Sequence, residues 1–335
     1  MTHDHGPAGS RPRRIRLLAI ASAAGMAVAT TALLAGFHTE LHPITPDEPN
    51  GTHSELATTA VVGIRTFTPP AVGITVDPDV VYGTQGDGSL LTLDVCSPPA
   101  DETVNARPAV LSIHGGSWAR GDKGNGDWRA VCEWLASEGF VAYSVNYRLA
   151  PAAPFPAAID DVALAVEWIR KAENAEKYGI DPDRIGVFGG SAGGNLAALL
   201  GARGTGSQTK GSRVAAVAEL SGPVDLQQLA ADGSSAGLQR SALAYLGCAD
   251  AANCVHARAA SVVGALDPSD PPVFIGASDA EYVPLAQSVR YAAELESLGI
   301  HHEFVTVPGT LHSIGILDET MRAKVVAFLH SALAD

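Results

Sequence analysis

Apolar positions along the chain follow two alternating periods. Short, mostly apolar runs such as Ala109–Ile113, Val141–Val145, Ile185–Phe188, Val214–Leu220, Val273–Ile275 and Glu303–Val307 have the length and β-branched content of strands. Between them lie longer stretches with apolar residues three and four apart, the spacing of one helix face. These predict helices over Trp128–Ser137, Ala157–Ala172, Gly193–Arg203, Val283–Leu298 and Thr320–Leu333. In the second of these, Ile159, Val162, Val166 and Ile169 form the stripe. Val80–Tyr82 and Leu90–Cys96 flank a Gly-rich turn and predict an opening antiparallel pair. Strand and helix in alternation imply a mostly parallel central sheet with helices on both faces, an α/β architecture. Residues 222–265 break the pattern and read as a small lid-like insertion, with Leu243, Tyr245 and Leu246 as candidate pocket-wall residues.

The first 72 residues read differently. Arg11, Arg13, Arg14 and Arg16 precede an uncharged, Ala-rich stretch from Leu17 to Phe37. Cations before an apolar run are the pattern of an export signal. Residues 1–37 are therefore expected to be a cleaved signal or an uncleaved membrane anchor through 17–37; both place the folded domain outside the cytoplasm. Residues 38–72, rich in Pro and Thr, read as a linker, leaving 73–335 as the folded domain. Outside the cytoplasm thiols oxidise, and there are four cysteines, Cys96, Cys132, Cys248 and Cys254. A bridge between Cys248 and Cys254 would leave Cys96 with Cys132, although four cysteines allow three connectivities.

Composition narrows the chemistry. With 22 basic and 36 acidic residues the formal charge is −14, a surface that repels phosphate backbones, so no nucleic-acid partner is expected. Cys-x-x-Cys and His-Glu-x-x-His spacings are absent from the sequence, so no metal is expected.

Gly189-Gly190-Ser191-Ala192-Gly193 lies between a predicted strand and a predicted helix. In such a G-x-S-x-G turn, small neighbours let strand and helix approach, and the serine hydroxyl projects alone as a candidate nucleophile. His114-Gly115-Gly116-Ser117-Trp118 ends an earlier strand. The bare N–H groups of Gly115 and Gly116, with that of Ala192, are candidates to bind an oxyanion, and His114 is expected to orient this loop. A base and an acid should lie on loops after late strands. His312 comes after the last strand, and Asp279 stands at the end of the strand before it, with Glu281 the alternative acid. The order Ser191, Asp279, His312 is that of a hydrolase triad.

The chain resembles the α/β hydrolases of the hormone-sensitive-lipase-like and bacterial feruloyl-esterase-like carboxylesterase type. The likeness runs from about Val80 to the C-terminus and is carried by His114–Trp118, Gly121–Lys123, Asn146–Asp161, Asp181–Ala197 and Asp270–Asp279. It implies an α/β-hydrolase fold and hydrolysis of short- to medium-chain carboxylic esters through an acyl-enzyme, with no organic cofactor and no metal. It also implies that Tyr147, Arg148 and the Asp160/Asp161 pair support the oxyanion loop; a surface ion pair and a helix turn would account for the two acids as well. There are departures. Ser117 stands where many members have a third glycine, Gly190 replaces a frequent Asp, and one extra residue separates Asp279 from Pro284. An amidase of the arylformamidase type would use the same triad, and a non-catalytic binding protein could keep the same scaffold.

Overall fold

A computed structural model describes residues 73–334 apart from 102, 104, 105, 251 and 252. The expected signal or anchor and the linker lie outside the described residues. Among those described, no helix is long and apolar enough to cross a membrane.

Eight strands form one sheet: β1 (Thr75–Thr84), β2 (Leu90–Ser97), β3 (Arg107–Ile113), β4 (Val141–Val145), β5 (Ile180–Gly190), β6 (Ala216–Leu220), β7 (Val273–Ser278) and β8 (His302–Val307). Their order is β1-β2-β4-β3-β5-β6-β7-β8. β1 and β2 pair antiparallel, as does β2 with β4, and every later pairing is parallel. The helices are α1 (Gly126–Ser137), α2 (Ala157–Arg170), α3 (Ala172–Tyr178), α4 (Ala192–Gly201), α5 (Ala236–Leu246), α6 (His256–Ala259), α7 (Leu285–Ser297) and α8 (Glu319–Ala332).

The period of two along the strands sorts the core into two layers. Leu111 and Ile113 of β3, Tyr143 and Val145 of β4, Val217 of β6 and Ile275 of β7 join one layer, with Ile159, Val162, Val166 and Ile169 of α2 and Tyr291 and Leu295 of α7. Their neighbours Val110, Ala142, Ala218 and Phe274 face the other layer, with Val131 and Leu135 of α1 and Val325, Phe328 and Leu329 of α8. Both faces are thus covered, which is why these strands are apolar at most positions rather than at every second one. α4 is buried along its whole length. It has no polar face because it lies between the sheet and the surrounding chain.

Sequence and structure differ at a few ends. The helix predicted through Ala172 stops at Arg170, because extended backbone at Lys171 (φ −60°, ψ 137°) separates it from α3. The insertion holds two helices, one of them α5, whose N-terminus is capped by Ser235 accepting from Leu238 N at 3.2 Å. Cys96 is bridged to Cys132, tying β2 to α1, and Cys248 to Cys254, closing a short loop after α5. The first bridge spans 36 residues. On the chain-entropy account, replacing both Cys96 and Cys132 by alanine should cost about 4 kcal/mol, read as a lower midpoint in urea with a somewhat steeper slope, because the uncrosslinked unfolded chain is less compact.

Candidate active site

The strands that carry chemistry end on one edge of the sheet, and the loops leaving those ends build the site. β5 delivers Ser191 on a turn that ordinary residues rarely adopt (φ 58°, ψ −123°), directly at the head of α4. Three glycines make that turn fit. A side chain at Gly189 would come within 2.2 Å of Gly193 O, and one at Gly193 within 2.1 Å of Ile113 O, so α4 packs its first turn directly on the ends of β5 and β3. At Gly190 a Cβ would lie 2.1 Å from Ser313 Oγ. Ser313, the residue next to His312, occupies that space, so position 190 has no room for a side chain.

β3 delivers the second loop. Gly115 lies against Ser191: a Cβ there would sit 3.2 Å from Ser191 Cβ and 2.9 Å from Gly190 O. Gly116 (φ 123°) has no room for a side chain, since Arg120 O would be 2.1 Å away. His114 is buried, donates from Nδ1 to Gly115 O at 2.8 Å and stacks on Tyr147 at 4.4 Å. Burial pushes its imidazole below the usual histidine range, which keeps it neutral. Tyr147 in turn donates its hydroxyl to His114 O at 2.9 Å. These contacts hold His114 against Gly115 and Tyr147. Arg148 binds Asp161 through both its backbone N–H and its guanidinium, while Asp160 makes only an exposed pair with Arg203 at 2.7 Å. The two adjacent acids thus have different jobs, and the internal one is Asp161.

The insertion supports the same loop from beneath. Tyr245 of α5 is fully buried and stacks on Trp118 at 4.5 Å with the rings nearly parallel. Trp118 donates its indole N–H to Asn195 Oδ1 at 3.2 Å, four residues past Ser191. Tyr245 and Leu246, expected as pocket wall, belong instead to the core, and Leu243 is half-buried. The Tyr245 stack on Trp118 holds α5 against the His114–Trp118 loop.

Beyond β8 stands His312, 4% exposed, whose Nε2 lies 2.8 Å from Ser191 Oγ. Its other nitrogen, Nδ1, bonds Glu281 Oε2. Asp279, the acid expected first, is not on the imidazole. Its backbone extends the pairing of β7 with β8, Asp279 N donating to Val307 O at 3.0 Å, and its exposed carboxylate accepts from Gly309 N at 2.8 Å. The chain turns back only after Ala280. The turn that follows brings the Glu281 carboxylate to the imidazole. Glu281 is fixed there by Ser278 N and by Ser221 Oγ, both donating to Oε1 at 2.8 Å. Ser221 Oγ also accepts from Ser313 N at 2.9 Å, and Ser278 Oγ donates to Leu311 O at 2.5 Å. The two serines tie the acid to the histidine loop. Both lie at or just past the C-terminal ends of strands, the one sequence cue that could have marked them. Tyr282 places its ring edge-on to His312 at 5.6 Å and is partly exposed beside the site.

One further acid was not foreseen. Glu219, on β6, is fully buried; its Oε2 accepts from Gly222 N at 2.7 Å, and its Oε1 has no hydrogen-bond partner. Desolvation pushes its carboxyl up to about 8, opposed by the Gly222 bond and assisted by the charge of Glu281.

Residues 93–295, more than half of the chain, match the BD-FAE family model; the span includes Ser191 and Glu281 and ends before His312. Ethyl acetate hydrolase of Pseudomonas putida is 32% identical over 256 residues, 70% of this chain and 76% of that protein. Arylacetamide deacetylase of Bos taurus is 43% identical over 103 residues, but the match covers 30% of this chain and only 26% of the relative's length. Among solved structures, a truncated carbohydrate esterase from gut microbiota superposes with a TM-score of 0.68 at 26% identity, over 80% of this chain and all of the other. The chain belongs to the BD-FAE family of α/β hydrolases.

Proposed function

We propose that the protein is a serine carboxylester hydrolase acting on short- to medium-chain esters. The observation that carries this reading is the line from Ser191 Oγ through both nitrogens of His312 to Glu281. Glu281 accepts the Nδ1 proton of His312 and so fixes the tautomer whose Nε2 can take a proton. His312 Nε2 removes the Ser191 proton as the hydroxyl attacks the ester carbonyl. The N–H groups of Gly115, Gly116 and Ala192 would hold the oxyanion; that of Ala192 has no intrahelical acceptor because it opens α4. His312 returns the proton to the leaving alcohol, and a water, deprotonated by the same nitrogen, frees the acid. No step calls for a metal or an organic cofactor.

The activity named for the Pseudomonas relative, ethyl acetate hydrolysis, supports a small acyl ester; the name of the bovine relative makes an aryl amide the competing substrate. A chain-length series of p-nitrophenyl esters, run beside an aryl acetamide and an aryl formamide, separates them. Highest kcat/KM on acetyl to hexanoyl esters is expected, and turnover confined to the amides would contradict the proposal.

We also place the catalytic domain outside the cytoplasm. The basic-then-apolar N-terminal stretch supports this, and two disulfides suit an oxidising compartment. Mass spectrometry of the mature N-terminus distinguishes a cleaved signal from an anchor through 17–37.

A further inference from the structure

Glu219 has a buried oxygen that no described residue satisfies, in a position that touches both supports of the proposed triad. Its Oε2 is so close to the backbone that a Cβ at Gly194 would lie 3.1 Å from it and one at Gly222 2.6 Å. Gly194 belongs to the first turn of α4, the helix that opens on Ser191. Gly222 comes directly after Ser221, which sits in a strained conformation (φ 58°) while bonding both Glu281 and the Ser313 backbone. One carboxyl group therefore wedges the nucleophile's helix against the turn that holds the acid.

We infer that Glu219 is a positioning residue that works as a neutral carboxylic acid, supporting the Ser221–Gly222 turn through its bond to Gly222 and leaving Glu281 the sole negative charge beneath His312. This rests on the reading of Ser191, His312 and Glu281 as the catalytic residues. The ionisable groups that face Glu219 are Glu281 on the loop after β7 and the buried Tyr291 of α7, whose phenol burial and the charges of Glu219 and Asp270 push upward. His312 lies beyond Glu281. β6 and α4 contribute no other ionisable side chain.

The direction of the pH effect is set by the carboxyl being raised. Below about 8 the group keeps its proton and is neutral; above that it becomes an anion. The anion would stand beside Glu281 and at the N-terminal turn of α4, where negative charge has to develop on the oxyanion. Like charges there raise the barrier, so activity is lost as pH rises.

The test is kcat/KM for p-nitrophenyl acetate against pH, for the parent and for Glu219→Gln, with the rate of Ser191 labelling by a fluorophosphonate measured in parallel. Gln keeps an acceptor for Gly222 N and cannot ionise. The parent is expected to fall about tenfold through the alkaline range, equivalent to one pKa unit of coupling, in both readouts. Glu219→Gln should keep near-parent activity at neutral pH and lose the alkaline fall. Superimposable profiles, or a loss of about a hundredfold or more at neutral pH in a folded variant, would overturn the inference. An infrared pH titration of the parent does not depend on the variant folding. The carbonyl stretch of a buried protonated acid is expected at neutral pH and should vanish through about pH 8; its absence at neutral pH would also overturn the inference. A parent in which Ser191 is never labelled would instead contradict the triad, which keeps the two failures distinct.

Discussion

Replacing Ser191 by alanine is expected to lower kcat on an ester by about four to six orders of magnitude, with the unfolding midpoint close to that of the parent. The size reflects the group removed. The hydroxyl is the only atom that can form the acyl-enzyme, and His312 and the oxyanion loop have nothing to act on without it. The residual rate should be that of water held near the oxyanion groups. Folding should survive, because the strain at Ser191 belongs to the backbone between Gly190 and Ala192, and its Oγ has one protein partner, His312. The measurement is steady-state hydrolysis of p-nitrophenyl acetate alongside urea unfolding. A variant retaining a tenth of the parent rate would rule out Ser191 as nucleophile.

The second large effect separates two acids that stand two residues apart. Glu281→Gln should cost about three to four orders of magnitude in kcat, because an amide opposite Nδ1 no longer enforces the tautomer that leaves Nε2 free. Glu281 is also held by Ser278 N and Ser221 Oγ, so the amide would present its N–H2 group to at least one donor. Asp279→Asn should leave kcat within a factor of about three, since Asn keeps the acceptor that Gly309 N requires and the imidazole is untouched. Comparable losses in the two variants, or a larger loss for Asp279→Asn, would return the acid's role to Asp279.

That pair also marks how far the sequence could be read. The architecture was legible because the sheet is covered on both sides: strands such as Val141–Val145 are apolar at all but one position (Ser144), and helices such as Ala157–Arg170 must show one stripe. The turn at Ser191 was legible because its sterics demand glycine at fixed offsets, and the HGG loop because Gly115 and Gly116 have no room for a side chain. The acid was not fixed by either kind of rule. Strand β7 ends at Ser278, and both Asp279 and Glu281 are short polar steps beyond it. What decides between them is that residues 279 and 280 still hydrogen-bond toward β8 and its loop, which turns the Asp279 side chain to Gly309. Nothing local in the sequence encodes that pairing. Tyr245 failed for the opposite reason: an aromatic in an insertion reads as a pocket wall, and only the tertiary stack on Trp118 makes it core. Glu219 lies inside an apolar strand, where its formal charge said nothing about the desolvation it meets.

The most direct measurement of the central claim is the site of covalent modification by a fluorophosphonate, located by peptide mass spectrometry in the parent and in His312→Ala. Modification of the peptide at Ser191 alone, slowed by at least about a thousandfold when His312 is removed, is the expected result. Unmodified Ser191 in active parent protein, or a labelling rate indifferent to His312, would contradict the account.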